Sequence, residues 1–155
     1  MTTAILEWLM TIKQRFVAHT GRVLEIGSLN VNGTPRSVFH DAKKYVGVDM
    51  QFGPDVDVVA DAHILQLVDM FDLVICCEML EHDKNPFATL QTLHNHLCES
   101  GLLVITTPAS GFPEHKYPRD YWRFMPDTYR DIFFNGMEML ELVEIAGPTL
   151  CGVGR

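Results

Sequence analysis

Three carboxylates stand in or after consecutive apolar runs in the first part of the chain, where an open α/β sheet would place them at one edge. Residues 23–26 carry Glu25 and are followed by Gly27, a second run ends at Asp49, and a third ends at Asp61. A glycine turn at the tip of one strand and an acid at the tip of its neighbour form a nucleotide pocket in such sheets. The pattern predicts a pocket for an adenosine-type nucleotide.

Each of these acids has a specific chemical use. Glu25 is unusual, because a central parallel strand is normally apolar on both faces and an unpaired buried carboxylate costs several kcal/mol. Loop N–H groups or a cationic ligand would compensate it; an exposed strand end is the alternative. Asp49 can accept from both hydroxyls of a ribose. Asp61 and the N–H of Ala62 can read the amino group and ring nitrogen of adenine, although either acid alone could be a cap.

The loop after Gly27 argues against a pyrophosphate. The dinucleotide fingerprint needs further glycines where this chain has Leu29 and Asn32. Ser28, Asn30 and Asn32 instead offer hydroxyl and amide groups suited to a carboxylate or an amine. A nicotinamide-dependent oxidoreductase is therefore the least favoured reading of the pocket.

Alternating helix and strand patterns surround these residues. Apolar periodicity predicts helices over residues 4–18, 36–43, 86–98 and 126–134, and strands over residues 22–26, 45–49, 57–60, 72–77, 102–107, 138–145 and 149–153. This alternation predicts an α/β fold: a doubly wound, mostly parallel, Rossmann-like sheet of six to seven strands in a three-layer α/β/α arrangement. We expect a single domain over residues 1–155, with an N-terminal helix within 1–20 and a substrate-side loop over 108–125.

The composition of the chain limits the binding partners and the cellular location that we expect. The formal net charge is −8 and the pI is near 5.2, so nucleic acid is a disfavoured partner. Four cysteines without a C-x-x-C spacing predict reduced thiols, and no spacing predicts a metal site. No signal peptide and no membrane-spanning run is recognisable. The expected location is cytoplasmic.

Several segments, in order, carry a resemblance to a known family. They are VLEIG (residues 23–27), VGVD (46–49), ADA (60–62), FDLVICCEMLEH (71–82), GLLVITTP (101–108) and YPRDYWRF (117–124). The chain resembles the class I S-adenosylmethionine-dependent methyltransferases, in the broad type-11-like group, over about residues 20–145. Leu29 departs from the family, which usually has a second glycine there; Asn32 and Gly33 supply a turn slightly later.

The resemblance implies a cofactor, S-adenosylmethionine, and a role for each predicted cofactor-binding residue. Glu25 would organise the loop near the methionine amino group, and Asp49 would bind the ribose. The remaining implied contacts are Gly27, Ser28 and Asn30 at the methionine portion, Met50 beside the adenine, Asp61 and Ala62 at the adenine, and Glu78 at the methionine end.

The implied function is methyl transfer to a small or medium acceptor, which would enter beside the 108–125 loop. His82, His115 and Tyr121 are the candidate catalytic residues, since imidazole and phenol suit proton transfer. The alternative is a catalytically inactive S-adenosylmethionine-binding or regulatory module. A homodimer is a further expectation, because a second subunit could complete the acceptor pocket.

Overall fold

A computed structural model describes residues 1–116 and 119–155, which form one sheet with helices on both faces. The elements are α1 (Thr3–Phe16), β1 (Arg22–Ile26), β2 (Lys44–Asp49), β3 (Val58–Val59), β4 (Phe71–Cys77), α2 (Pro86–Asn95), β5 (Leu97–Pro108), α3 (Pro126–Thr128, continued by a π-helical turn Tyr129–Phe133), β6 (Met139–Ile145) and β7 (Thr149–Gly154). Short 3₁₀ turns cover Pro35–Ser37 and Leu80–His82.

The sheet has seven strands in the order β3-β2-β1-β4-β5-β7-β6. Strands β1 to β5 are parallel, and β7 runs antiparallel to both β5 and β6. The chain leaves β1 toward β2 on one side and later returns to β4 on the other side. This reversal is the switch point at which ligands bind in open α/β sheets. The predicted doubly wound, mostly parallel sheet is confirmed.

Each face of the sheet has its own apolar core. On one face, Ile5, Leu9 and Ile12 of α1 pack with Val23 of β1 and Ile75 of β4. Helices α2 and α3 cover the other face. Their buried side chains Leu90, Leu93, Tyr129 and Phe133 pack against the strand residues Leu24, Val74 and Leu103. The layers are therefore α/β/α, as the alternating sequence pattern predicts.

The predicted helix over residues 36–43 is wrong. Thr34 caps the segment by accepting from Arg36 N–H at 3.1 Å, but only the 3₁₀ turn Pro35–Ser37 forms. Tertiary partners replace the helical hydrogen bonds that would follow: Lys13 Nζ donates to the Val38 carbonyl at 2.8 Å, and Lys43 N–H donates to the Gly21 carbonyl at 3.0 Å. The segment therefore leads into β2 without forming an α-helix.

The second helix ends earlier than the apolar pattern predicts, at Asn95, and β5 begins already at Leu97. His96 is the reason, because it is buried between the two. Its Nε2 accepts from Leu67 N–H at 3.0 Å, and its Nδ1 lies 2.8 Å from the Thr92 carbonyl.

Tyr129 joins α3 to the sheet through a buried chain of hydrogen bonds. Its hydroxyl donates to the Leu150 carbonyl at 3.1 Å and lies 2.8 Å from Thr107 Oγ1, which can then donate to it.

We expect Tyr129→Phe to lower the free energy of unfolding by about 1–3 kcal/mol, because both buried partners lose this hydroxyl. Urea denaturation measures this. Tyr121→Phe, at a partly exposed ring, is the matched control, and equal losses would contradict the expectation.

In residues 1–116 and 119–155, no helix has the length and apolar character that a membrane span requires.

Candidate active site

A glycine turn at the tip of β1 begins the candidate site. Gly27 has φ of +83°, a conformation that favours glycine. The N–H groups of Gly27 and Ser28 both donate to the Val48 carbonyl, at 2.9 and 3.1 Å. A Cβ on Gly27 would lie 2.6 Å from Met79 Cγ, so the turn packs directly on the segment after β4. The predicted tight turn is thus present.

The loop continues with a shape that explains how Leu29 is accommodated. Its side chain packs against the α-carbon of Gly53, where a Cβ would meet Leu29 Cδ1 at 2.3 Å. Asn30 Nδ2 donates to Asp55 Oδ2 at 2.8 Å, and Asn30 Oδ1 accepts from Gly33 N–H at 2.9 Å. Gly33 has φ of +125°, so the turn does come later, as the sequence predicts. These contacts engage Asn30 within the loop itself.

Glu25 is buried within β1, with 2% of its surface exposed, so the alternative of an exposed strand end is wrong. Tyr45 Oη donates to Glu25 Oε2 at 2.7 Å. Burial raises the pKa of the Glu25 carboxyl to about 7, against the lowering effects of the Tyr45 hydrogen bond and the Arg36 charge. The carboxyl therefore titrates near neutral pH, and a cation placed beside it would favour the ionised form.

Arg36 supports this arrangement and was missed by the sequence reasoning, which used it only as a helix residue. Its guanidinium lies over the Tyr45 ring, 4.4 Å from the centroid. It donates to the Asp55 carbonyl at 3.1 Å and to the Asp57 carboxylate. Gly47 leaves room for it, since a Cβ there would lie 2.9 Å from Arg36 Nη2. The sequence holds no local signal for this role, because the partners come from other segments.

Asp49 lies at the end of β2 and faces the glycine loop. Oδ2 accepts from Leu29 N–H at 3.2 Å and Oδ1 accepts from Gln51 N–H at 2.9 Å. A carboxylate has about four acceptor sites, so each oxygen keeps capacity for a ribose hydroxyl. Met50 follows with 70% of its surface exposed, free to pack on a flat ligand.

The third acid, Asp61, follows β3 in a turn. Its Oδ1 accepts from His63 N–H at 2.9 Å, the cap contact that the sequence left open as an alternative. Thr92 Oγ1 donates to the Ala62 carbonyl at 2.7 Å, and this hydrogen bond fixes the turn against α2. Asp61 thus combines a turn-forming contact with further acceptor capacity at the sheet edge.

Glu78 stands directly after β4 in a strained backbone conformation. Its φ of +52° is uncommon for a residue other than glycine. Glu78 N–H donates to the Thr106 carbonyl at 3.0 Å, and Oε1 accepts from Thr106 Oγ1 at 3.1 Å. Burial raises the pKa of the Glu78 carboxyl above its ordinary value. Such strain is typical of functional positions held by their surroundings.

The candidate catalytic residues gather beyond β4. Tyr121 N–H donates to the Glu81 carbonyl at 2.8 Å, which docks the long loop onto the turn that carries His82. The His82 and His115 rings are in edge contact, with centroids 4.8 Å apart. Burial and the neighbouring His82 lower the pKa of His115. Of the motif 117–124, residues 117 and 118 lie outside the described residues.

Two cavities lie in different parts of the fold. The larger, about 570 Å³, lies between α1 and residues 37–41, on the α1 side of the sheet. The smaller, about 380 Å³, is lined by Glu114, Lys116 and Arg119–Tyr121 in the long loop. The smaller one lies beside the carboxyl end of β4, because the loop that lines it docks onto Glu81 there.

Comparison with known proteins agrees with this geometry. A family model described as a methyltransferase domain matches residues 7–150. The ubiquinone biosynthesis O-methyltransferase of Glaesserella parasuis serovar 5 (strain SH0165) is 42% identical over 45 residues, which are 29% of this chain and 19% of that protein. The chain thus spans less than a fifth of that relative's length in the match.

Solved structures share the fold at low identity. The 1,6-didemethyltoxoflavin-N1-methyltransferase of Burkholderia thailandensis, bound to 1,6-didemethyltoxoflavin and S-adenosylhomocysteine, superposes with a TM-score of 0.77 at 16% identity, covering 97% of this chain and 77% of that one. The N-methyltransferase NodS of Bradyrhizobium japonicum WM9, in complex with S-adenosylhomocysteine, gives 0.74 at 13% identity, covering 97% and 85%.

The chain therefore belongs to the methyltransferase domain family, which confirms the methyltransferase predicted from its motifs, and it shares its fold with methyltransferases solved with S-adenosylhomocysteine.

Proposed function

We propose that this protein transfers a methyl group from S-adenosylmethionine to a small or medium acceptor bound beside the 108–125 loop. The observation that carries the proposal is the succession of Glu25, Asp49, Asp61 and Glu78 along neighbouring strands at the switch point, around the turn at Gly27. This succession offers acceptors for an amine, a ribose and an adenine in order across one sheet edge.

The cofactor would lie across the carboxyl ends of β1 to β4. We assign the ribose to Asp49, whose two oxygens keep acceptor capacity, and the adenine to Met50, Asp61 and Ala62. The methionine portion would lie along Gly27 and Ser28, toward Glu78. Glu25 and Asn30 would shape this loop from behind.

For methyl transfer, the main task of the protein is to align the acceptor with the cofactor. The cofactor's sulfonium is an activated leaving group, so the difficult part of the reaction belongs to the cofactor. The protein must hold the acceptor atom, the methyl carbon and the sulfur in line, and exclude water. A base is needed only when the acceptor must lose a proton, and we keep Tyr121, His82 and His115 as candidates for that step.

Asp49→Ala tests the ribose assignment. We expect it to weaken S-adenosylmethionine and S-adenosylhomocysteine binding by about 1–3 kcal/mol, roughly 5- to 150-fold, because ribose hydroxyls lose their acceptor and stay buried. Isothermal titration calorimetry measures both affinities. Asp127→Ala is the matched control, since this carboxylate is exposed on α3. Equal affinities for the wild type and Asp49→Ala would mean that the ribose lies elsewhere.

The same titration separates the alternatives. Binding of S-adenosylmethionine without turnover on any tested acceptor would favour the inactive or regulatory module. Absence of binding, together with retained nicotinamide cofactor, would favour an oxidoreductase.

A cytoplasmic location and a homodimer belong to this proposal as well. The four cysteines are free and three are buried, as is common in reducing compartments. Analytical ultracentrifugation with and without S-adenosylhomocysteine would determine whether two copies associate.

A further inference from the structure

A cluster of three potential metal ligands lies beyond β4, where the sequence predicted none. Glu81 and His82 belong to the turn Leu80–His82, and His115 comes from the long loop after β5. One ligand atom from each lies within 4.8 Å of the other two. His82 Nε2 is 3.6 Å and His115 Nε2 is 3.7 Å from the same atom, Glu81 Oε1.

Glu81 needs a partner that the described residues do not supply. Its side chain is completely buried, and neither carboxylate oxygen has a hydrogen-bond partner in residues 1–116 and 119–155. A buried ionised carboxylate is very costly unless a charge compensates it. A cation at Oε1 would satisfy this requirement.

The tautomers of both imidazoles leave Nε2 able to bind that cation. His82 Nδ1 contacts the Arg119 carbonyl, which can only accept, so Nδ1 carries the proton. His115 Nδ1 makes no hydrogen bond, but the Asp120 carboxylate oxygen 3.5 Å away attracts a proton to it by charge, which favours the same tautomer. Each Nε2 therefore presents a lone pair toward Glu81 Oε1, and when Glu81 is ionised, three acceptor atoms of the described residues converge on one space.

The surroundings of the cluster match those of known metal sites. A ligating histidine usually gives its other N–H to a carboxylate or a backbone carbonyl; here His82 Nδ1 contacts the Arg119 carbonyl, and the Asp120 carboxylate lies 3.5 Å from His115 Nδ1. Asp120 is itself held by both guanidinium nitrogens of Arg123, at 2.5 and 2.6 Å, and by His115 N–H at 2.8 Å. These contacts orient the outer carboxylate before any ion binds.

We propose that Glu81 Oε1, His82 Nε2 and His115 Nε2 bind a divalent transition-metal ion, with Zn²⁺ the best match. Two imidazoles with one carboxylate suit zinc better than magnesium or calcium, which prefer oxygen ligands. Ligand atoms around tetrahedral zinc lie ~3.4 Å apart for metal–ligand distances of ~2.0–2.1 Å. The two separations from Glu81 Oε1 are close to this, at 3.6 and 3.7 Å, and all three ligand atoms lie within 4.8 Å of one another. Three protein ligands leave a coordination position open, as in catalytic zinc sites.

The site would tie the long loop to the sheet edge. It would also occupy both imidazole Nε2 atoms, which leaves Tyr121 as the remaining candidate base. The inference does not depend on the identity of the methyl donor or acceptor, because metal binding is measured without either.

The test uses the whole chain, stripped of metal by a chelator and titrated with Co²⁺. We expect visible absorption bands that saturate at about one equivalent and disappear on addition of Zn²⁺. Competition with a chromophoric chelator then gives the Zn²⁺ affinity. We expect Glu81→Gln and His115→Ala to weaken it at least ~100-fold, since loss of an outer partner alone costs ~10- to 100-fold.

His40→Ala is the matched control, because His40 is an exposed histidine outside the cluster. His115→Ala keeps the test open if Glu81→Gln fails to fold, because His115 lies in a loop outside the helices and strands. No saturable binding by the wild type would overturn the proposal. Equal Zn²⁺ affinity in the wild type and His115→Ala would also overturn it, since the ion would then bind elsewhere.

Discussion

Gly47→Ala is expected to lower the free energy of unfolding by about 1–3 kcal/mol and to disturb the cofactor loop at the same time. A Cβ at this position would lie 2.3 Å from the Asp55 carbonyl oxygen, 2.7 Å from Ser28 Oγ and 2.9 Å from Arg36 Nη2. The first contact is to backbone and cannot be relieved by a rotamer change. Because Gly47 also pairs with Glu25 in the sheet, any shift reaches the predicted cofactor residues directly.

Urea denaturation and calorimetric titration with S-adenosylhomocysteine measure the two effects. Gly136→Ala is an informative control, because Gly136 has φ of +80° but nothing within 4 Å of an added Cβ. It should cost about 1–2 kcal/mol in stability, from backbone strain alone, and leave cofactor affinity unchanged. If Gly47→Ala binds the cofactor as the wild type does, the close packing behind the loop is unimportant for the site.

Glu25→Gln is expected to remove a pH-dependent loss of stability of about 3 kcal/mol between pH 4.5 and 7. In the folded chain, burial raises the pKa of Glu25 from 4.5 to about 7. Across this interval the native state binds the proton more than the unfolded state does, so the wild-type stability contributed by Glu25 falls as pH rises. Each pKa unit is worth about 1.36 kcal/mol.

The comparison is made by urea denaturation of the cofactor-free protein at several pH values. The pKa values of Glu78 and Glu81 are also raised by burial, so the wild-type slope contains their contributions; the difference between wild type and variant isolates Glu25. Glutamine keeps an oxygen that can accept from Tyr45. Glu144→Gln, at an exposed position in β6, should follow the wild type. A Glu25→Gln curve parallel to the wild type would show that the folded-state pKa is not raised.

The positions of the strands along the chain followed from the sequence because buried parallel strands leave a strong local pattern. The run at residues 72–77 is apolar throughout, and β4 forms at Phe71–Cys77 with both faces covered. The same logic located Asp49 and Asp61, since a carboxylate that ends an apolar run must lie at the sheet edge, and both do so. The family resemblance added Glu78, which directly follows β4.

Local patterns failed where distant groups compete for the backbone. Residues 36–43 carry helical signals, yet Lys13 and the Gly21 carbonyl take the hydrogen bonds that a helix would use. His96 lies within the predicted helix over residues 86–98. Its burial against Leu67 N–H ends α2 early.

The sequence by itself determined the doubly wound sheet and the acids at its edge, because periodicity and strand-end chemistry are local properties of the chain, and the resemblance of its motifs determined the family. Only the tertiary structure decided that Arg36 stacks on Tyr45 behind Gly47, and that Glu81 and two histidines from separate segments converge. Such contacts depend on how loops pack over the sheet, and this packing cannot be predicted from the spacing of residues along the chain.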